Sequence, residues 1–290
     1  MKKISLLITT LLIIITSCNK IDTSHEVFEF ISPVVITSWD PEYAQTVIQK
    51  IYIEEFTGHQ CTYCPSGARE LKAIMDEDPT IIATAIHCSN LANPGSNPPF
   101  DKNFKTPMGN QIYTDLNIQA LPQATFNRLE IAPNEWGSTS NKWRERVAEI
   151  DRNNIRAGVE LQCTVNESNQ EIEAQVAVTI IKELPNPVQL CVVLQQDSIV
   201  SGQTDGSQYI LDYVHNHMLR TGFNGTYGTK LTSTGIVEPQ LKYATTFKIS
   251  YKNSFPYSYI PLDIKHCSVV AYVIDVETKE IVQVEAVHLR

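Results

Sequence analysis

The chain lacks what would mark it as a nucleic-acid binder, a membrane-spanning protein or a disordered tether. Basic residues are in the minority, 23 Lys+Arg against 32 Asp+Glu, for a net charge of −9. A nucleic-acid partner needs a concentrated basic surface, so that class is excluded. Glycine and proline are scarce, at 12 and 15 of 290 residues, and 42% of the chain is hydrophobic. Neither a low-complexity chain nor global disorder fits that composition. No apolar run reaches the roughly 20 residues that a helical bilayer crossing takes. A single C-x-x-C occurs, with no second one and no H-x3–5-H, so the further ligands of a zinc site are missing. Seven cysteines and a length of about two ordinary domains are what is present.

The odd cysteine count has a reading at the N-terminus. Lys2 and Lys3 precede an apolar stretch from Leu6 to Ile15, interrupted only by Thr9 and Thr10. That stretch suits the core of an export signal. It ends at Ser17-Cys18, and the whole resembles a bacterial lipoprotein signal, which implies cleavage after residue 17 and lipid on Cys18. Removing residues 1–17 lowers Lys+Arg from 23 to 21 against 32 acidic residues, a net charge of −11. The mature protein is then expected to be held to a membrane by lipid rather than embedded in it. Residues 18–50 read as a polar tether and extension, with short edge strands at Val27–Ile31 and Pro33–Ile36.

From Ile51 the pattern is that of an α/β unit. Ile51–Phe56 reads as a strand, residues 57–65 as a loop, and Ser66–Glu77 as a helix with Leu71, Ile74 and Met75 on one face. Ile81–Ile86 is a second buried-type strand ending at His87-Cys88. An Asn/Pro/Ser-rich loop over 89–105, a helix over Met108–Leu116, a strand around residues 120–126 and a charged helix over Asn141–Asn154 follow. Strand and helix alternate, which favours a sheet with crossover connections.

The chemistry sits in Cys61-Thr62-Tyr63-Cys64. Two thiols separated by two residues at a helix start form a small disulfide ring. The helix N-terminus favours the thiolate of the first, and the second resolves a mixed disulfide. A redox pair and a structural disulfide both remain open. Glu55, the pair and the Leu121-Pro122 step before a strand together resemble the thioredoxin fold. The resemblance implies Cys61 as nucleophile, Cys64 as resolving thiol, Glu55 as proton acceptor and Pro122 as the proline facing the disulfide. The tryptophan usual before the first cysteine is absent, and Pro65 stands where a basic residue is common.

A further resemblance covers nearly the whole chain. Glu54 to Pro65, the block Tyr213-Val214-His215-Asn216-His217-Met218-Leu219-Arg220, and Gly222, Gly225 and Gly228 are similar to the outer membrane protein 28-related lipoproteins of Gram-negative bacteria. This implies an outer-membrane, lipid-anchored protein with a thioredoxin-like domain and a second, β-rich one, acting as surface receptor or adhesin.

The second half reads as β on its own pattern. Gly158–Val165, Ile172–Ile180 and Phe247–Tyr251 alternate with period two, and Val188–Leu194, Cys267–Ile274 and Ile281–Val287 add further runs. The expected architecture is therefore α/β plus β: a thioredoxin-like α/β domain over 51–156, then an antiparallel β-sandwich-like domain over 157–290. A long loop over 202–235 interrupts the second part. In an extended strand His215 and His217 would share a face, which makes them a candidate ligand-binding pair; a packed loop is the alternative. Cys88 follows a strand near the C-x-x-C, and Cys163, Cys191 and Cys267 fall in strands where packing is the leading explanation.

Neither a metal nor another cofactor is expected. Two functional classes stand: thiol–disulfide exchange in the cell envelope through Cys61 and Cys64, with protein thiol or disulfide partners, or non-enzymatic binding of host surface ligands by the β domain. Beyond the membrane reached through Cys18, no nucleic acid enters either.

Overall fold

A computed structural model of the chain describes residues 30–251 and 260–290. The signal, Cys18 and the start of the tether lie outside the described residues. The N-terminal extension supplies β1 (Phe30–Ile31), β2 (Val35–Ser38) and α1 (Pro41–Thr46), the last capped by the Asp40 side chain. The next elements are β3 (Ile51–Thr57), α2 (Cys64–Glu77), β4 (Ile81–His87), α3 (Pro107–Asp115), β5 (Gln123–Phe126), β6 (Ser138–Thr139) and α4 (Trp143–Glu149). The second half is β throughout: β7 (Ala157–Asn166), β8 (Glu171–Ile180), β9 (Val188–Gln196), β10 (Ile199–Asp205), β11 (Gln208–His215), β12 (Met218–Gly222), β13 (Thr229–Lys230), β14 (Leu241–Ser250), β15 (Cys267–Asp275) and β16 (Ile281–His288).

Local chemistry accounts for several boundaries. Helix α2 begins at Cys64, two residues earlier than the periodicity predicts, because Pro65 fits a first turn where no N–H partner is needed. Thr106 caps α3 by accepting a hydrogen bond from the Gly109 N–H at 2.9 Å. Helix α4 is shorter than expected: Asp151 accepts from the Asn153 N–H at 2.9 Å, a local turn that competes with helix continuation. Trp143, Val147 and Ile150 nevertheless pack together with Ile51, Ile53, Leu71 and Ile74.

The architecture is mixed α/β, rich in β-structure, mostly antiparallel and poor in helix. Among the described residues a nine-stranded sheet runs in the order β16-β15-β9-β12-β4-β3-β5-β6, with β13 added to β9. Only β3–β4 and β4–β12 pair in parallel within it. A five-stranded antiparallel sheet of β1, β2, β14, β8 and β7 stacks on one end, and β10 and β11 form a separate hairpin. Strands from both sides of residue 156 thus share the larger sheet. The segment expected as a loop over 202–235 carries β11, β12, β13 and most of β10, because the apolar residues of β12 pair between β4 and β9.

Register decides which side chains meet. Glu55 stands opposite Ala85, Ala85 opposite Met218, and Met218 opposite Gln196. Side chains alternate along strands, so the surface that α2 and α4 cover on β3 and β4 is the same face that the smaller sheet covers on β9 and β15. The two coverings enclose separate cores, one with Ile51, Leu71 and Trp143, the other with Val176, Leu190, Val192, Phe247 and Val269. The opposite face packs Tyr52, Phe56, Ile86, Val193 and Tyr272 under Met108 and Ile112 of α3. The hairpin of β10 and β11 reaches over the first face towards the start of α2.

Candidate functional site

Neighbouring carboxylates on β3 meet different fates because they point to opposite faces. Glu54 is fully paired: the Arg128 guanidinium donates to both its oxygens at 2.7 and 2.6 Å, and Thr125 adds a third bond at 3.0 Å. Glu55, on the α2 face, is 3% exposed, and its Oε1 has no hydrogen-bond partner. Burial without compensation disfavours the charged form, and the Glu55 carboxyl is pushed up to about 8. It therefore holds a proton at neutral pH.

Cys61 and Cys64 are joined as a disulfide with Cα atoms 5.4 Å apart. Cys64 opens α2, and each cysteine is only 2% exposed. Pro122, preceded by a cis peptide bond, packs against Gly67 in the first turn of α2; a Cβ on Gly67 would sit 2.9 Å from the proline Cβ. The cysteine pair, Glu55 and Pro122 thus gather at one end of α2.

The hairpin closes over the C-x-x-C loop. The Gln203 side-chain amide donates to the carbonyls of Gly58 and Cys61 at 3.3 and 3.2 Å. The Thr204 N–H donates to the His59 carbonyl at 2.9 Å and the Gly206 N–H to the Thr62 carbonyl at 3.0 Å. Asp205 pairs with Arg69 of α2 at 2.9 Å. Gly202 lets the hairpin approach, since a Cβ there would lie 2.5 Å from the Pro99 Cβ.

Between α2 and the hairpin lies a cavity of about 620 Å³, bounded by Glu55, Cys64, His87, Tyr213, His215 and His217 among others. Cys61 and Pro122 are not in its lining. The chain turns at His217, whose φ is 55°, so His215 and His217 do not share a strand face. His217 pairs with Asp197 at 3.1 Å, whereas His215 enters a buried aromatic cluster. Phe104 is its hub, with ring centroids 5.0 Å from His59, 4.9 Å from His87 and 5.0 Å from His215. Burial lowers His59 and His215 to about 4 and His87 well below its ordinary value, the neighbouring imidazoles adding to the effect for His87 and His215. All three are neutral at pH 7. The Nδ1 atoms of His59 and His87 and the Nε2 of His215 have no partner. No group of three or more His, Cys, Asp or Glu side chains among the described residues is placed to hold a metal ion.

Cys88 lies on the α3 side of the sheet with its Sγ 3.9 Å from the Thr57 carbonyl, and burial pushes its thiol up to about 12. It is not part of the disulfide site. Cys163, Cys191 and Cys267 are likewise free and pushed up to about 12 by burial, which keeps them as unreactive thiols. Sequence reasoning missed Gln203, His59, His87 and Phe104. His87 at a strand end beside the cysteine loop was the one available signal; Gln203 lies in a stretch read as a loop.

Among solved structures, HBP35 of Porphyromonas gingivalis has a similar fold, with a TM-score of 0.61 at 15% identity over 84% of this chain and 76% of that one. A domain of the outer membrane lipoprotein Omp28 from Porphyromonas gingivalis aligns at 21% identity over 47% of this chain and 90% of that one, with a TM-score of 0.31. No curated protein matches. No helix among the described residues is long and apolar enough to cross a membrane. The Omp28 outer membrane protein family matches residues 109–290, well over half of the chain, and the protein is accordingly an outer-membrane protein belonging to that family.

Proposed function

We propose that this outer-membrane protein carries out thiol–disulfide exchange in the cell envelope, anchored by lipid on Cys18. In this reading residues 51–156 act as a thioredoxin-like domain and 157–290 as a β-sandwich-like partner that shares its sheet. The order strand, C-x-x-C, helix, strand, with Pro122 before β5, supports it. One observation carries it: a buried, unpartnered Glu55 carboxyl borders the same cavity as Cys64. A disulfide that only staples a loop needs no such group, which costs stability. Exchange does need one. When the sulfur–sulfur bond breaks, the departing thiolate of Cys64 must gain a proton, and a carboxyl pushed up to about 8 is close to a thiol in acidity and serves as donor and acceptor.

The test is the reduction potential and exchange rate of the Cys61–Cys64 pair in the lipid-free protein. We expect a potential above about −300 mV, with exchange abolished by Cys61→Ser; structural disulfides typically lie below that value. A lower potential with no exchange refutes the reading. A second reading, surface recognition, has its own observation: Tyr63, Tyr209 and Leu211 are 71%, 68% and 68% exposed beside the hairpin and the cysteine loop. It predicts ligand binding that survives loss of both cysteines and is lost with the hairpin.

A further inference from the structure

We propose that the β10–β11 hairpin is a lid over the C-x-x-C loop, swinging on Ser198 and His217, and that acid opens it. This rests on the exchange reading and adds to it a control on when the disulfide can be reached.

The exchange reading itself requires a moving part. Cys61 and Cys64 are each 2% exposed, so neither sulfur meets a partner while the loop stays covered. The cover is the hairpin. Gln203 holds the carbonyls of Gly58 and Cys61, Thr204 that of His59, and Gly206 that of Thr62. Asp205 ties the tip to Arg69 of α2, whose side chain is 62% exposed, where an ion pair adds little. Among the described residues β10 and β11 pair with each other and with no strand of either larger sheet. The latch is therefore a handful of bonds and no ladder.

The base of the hairpin is built as a hinge. One left-handed residue stands in each connection: Ser198 (φ 60°) between β9 and β10, and His217 (φ 55°) between β11 and β12. Side chains hold the two connections. Asn216 accepts from the Ser198 N–H at 3.0 Å, and Asp197 accepts from the His217 N–H at 2.6 Å. Hinge motions are absorbed by a few element-terminal residues of this kind. The Ile199–His215 pair lies just inside them, so the hairpin can move as a unit.

Beneath that base lie three imidazoles from three elements: His59 of the cysteine loop, His87 at the end of β4 and His215 at the end of β11. The His87 and His215 rings are 5.4 Å apart and share Phe104. Only His215 travels with the hairpin. Nothing that faces the cluster can balance a positive charge. Glu55 of β3, pushed up to about 8, holds its own proton, and burial keeps Tyr213 of β11 neutral. Asp76 of α2 is taken by Lys72, Asp197 by His217, Asp205 by Arg69, and Asp101 of the 89–105 segment by Lys102. Lys105 adds a positive charge, its Nζ 2.9 Å from the Asn93 side chain, while the Asn93 carbonyl holds the His59 ring at 3.1 Å. A proton on His87 or His215 is thus a buried charge without compensation, and lifting the hairpin delivers the His215 ring to water. His215 is lowered from 6.5 to about 4 under the hairpin, so opening becomes favoured as the pH falls from 6.5 towards 4. One such imidazole shifts the opening equilibrium by about twentyfold between pH 7 and pH 5.

The experiment is amide hydrogen exchange by NMR on the oxidised lipid-free protein at pH 7 and pH 5, with intrinsic rates divided out. The Thr204 and Gly206 amides bond to the cysteine loop, so their protection reports the latch, while the β9 amides report the whole fold. Protection at Thr204 and Gly206 should fall about tenfold or more from pH 7 to pH 5 and stay below that of β9 at both. Protection that is unchanged, or equal to that of β9, overturns the lid. His215→Gln should shrink the fall by about fivefold or more; a fall as large as in the wild type counts against the proposal. Gln203→Ala should lower the protection at pH 7, with β9 showing that the variant is folded, and an unchanged value again counts against it. Access to the disulfide is read with tris(2-carboxyethyl)phosphine, its rate divided by that on bis(2-hydroxyethyl) disulfide at the same pH. The ratio should rise with the loss of protection, and a constant ratio overturns the control of access. Lid opening with no thiol exchange at any pH supports the lid and ends the exchange reading. Exchange through Cys61 at pH 7 with protection unchanged at pH 5 ends the lid and leaves exchange standing.

Discussion

Replacing Glu55 by glutamine separates the energetic cost of the site from the rest of the fold. Glu55 has a carboxyl acidity near 4.5 in the unfolded chain and about 8 when buried in the folded one. A group whose folded value is raised lends its full stability below 4.5 and loses it as the pH rises towards 8, because the unfolded chain releases the proton and the folded chain must keep it. Each pH unit in that window costs about 1.4 kcal/mol. At pH 7 the wild type therefore carries a penalty of roughly 3 kcal/mol, and above pH 8 roughly 5 kcal/mol, set by desolvation alone because Oε1 has no partner. Glutamine has nearly the same shape and no proton to lose, so its own burial shifts stability equally at every pH. Urea unfolding of the oxidised wild type and Glu55→Gln across pH 4 to 9 should show the variant gaining on the wild type by about 3 kcal/mol between pH 4 and 7. A pH-independent offset, or a variant that loses ground to the wild type as pH rises, would refute the claim that this carboxyl is buried unpaired.

Acid should act in the opposite sense through the histidine cluster. His59 and His215 are lowered from 6.5 to about 4, so their contribution is full above pH 6.5 and is lost as the pH falls towards 4, by about 3 kcal/mol for each. Urea midpoints should drop over that interval, and His215→Gln should flatten the slope; an unchanged slope means that His215 is not held neutral by burial. The shared sheet makes a prediction about folding units. A fragment of residues 51–156 loses β12 from the edge of β4 and the Val193 and Tyr272 cover of Tyr52 and Phe56. It should show no cooperative unfolding by near-ultraviolet circular dichroism, whereas a sharp transition would make that segment an independent domain.

The legible part of the molecule was the part governed by neighbours in sequence. Alternation in Ile172–Ile180 and Phe247–Tyr251 marked β8 and β14, and Leu71, Ile74 and Met75 marked the buried side of α2, because strand and helix periods bring these residues to one face whatever they pack against. Residues 202–235 were illegible for the complementary reason. Asp205–Gln208 has the polar tip of a hairpin and β12 is five residues long, so glycine and polar content masked strands that persist only through pairing with β4, β9 or each other. The same holds at the site. The spacing of Cys61 and Cys64 was readable and so was Glu55, but neither hinted that Gln203 would hold the loop or that His59, His87 and His215 would share Phe104.

By itself the sequence determined the closely spaced Cys61–Cys64 pair, the helix that starts on it and the β character of the second half, since each follows from bonds and periods within a few residues. Only the tertiary structure decided that Glu54 is paired and Glu55 is not, that a hairpin more than 130 residues away covers the cysteine loop, and that a cavity opens beside Cys64 rather than Cys61. Those outcomes depend on strand register, Glu55 opposite Ala85 and Ala85 opposite Met218. A one-residue slip would turn each of these side chains to the other face.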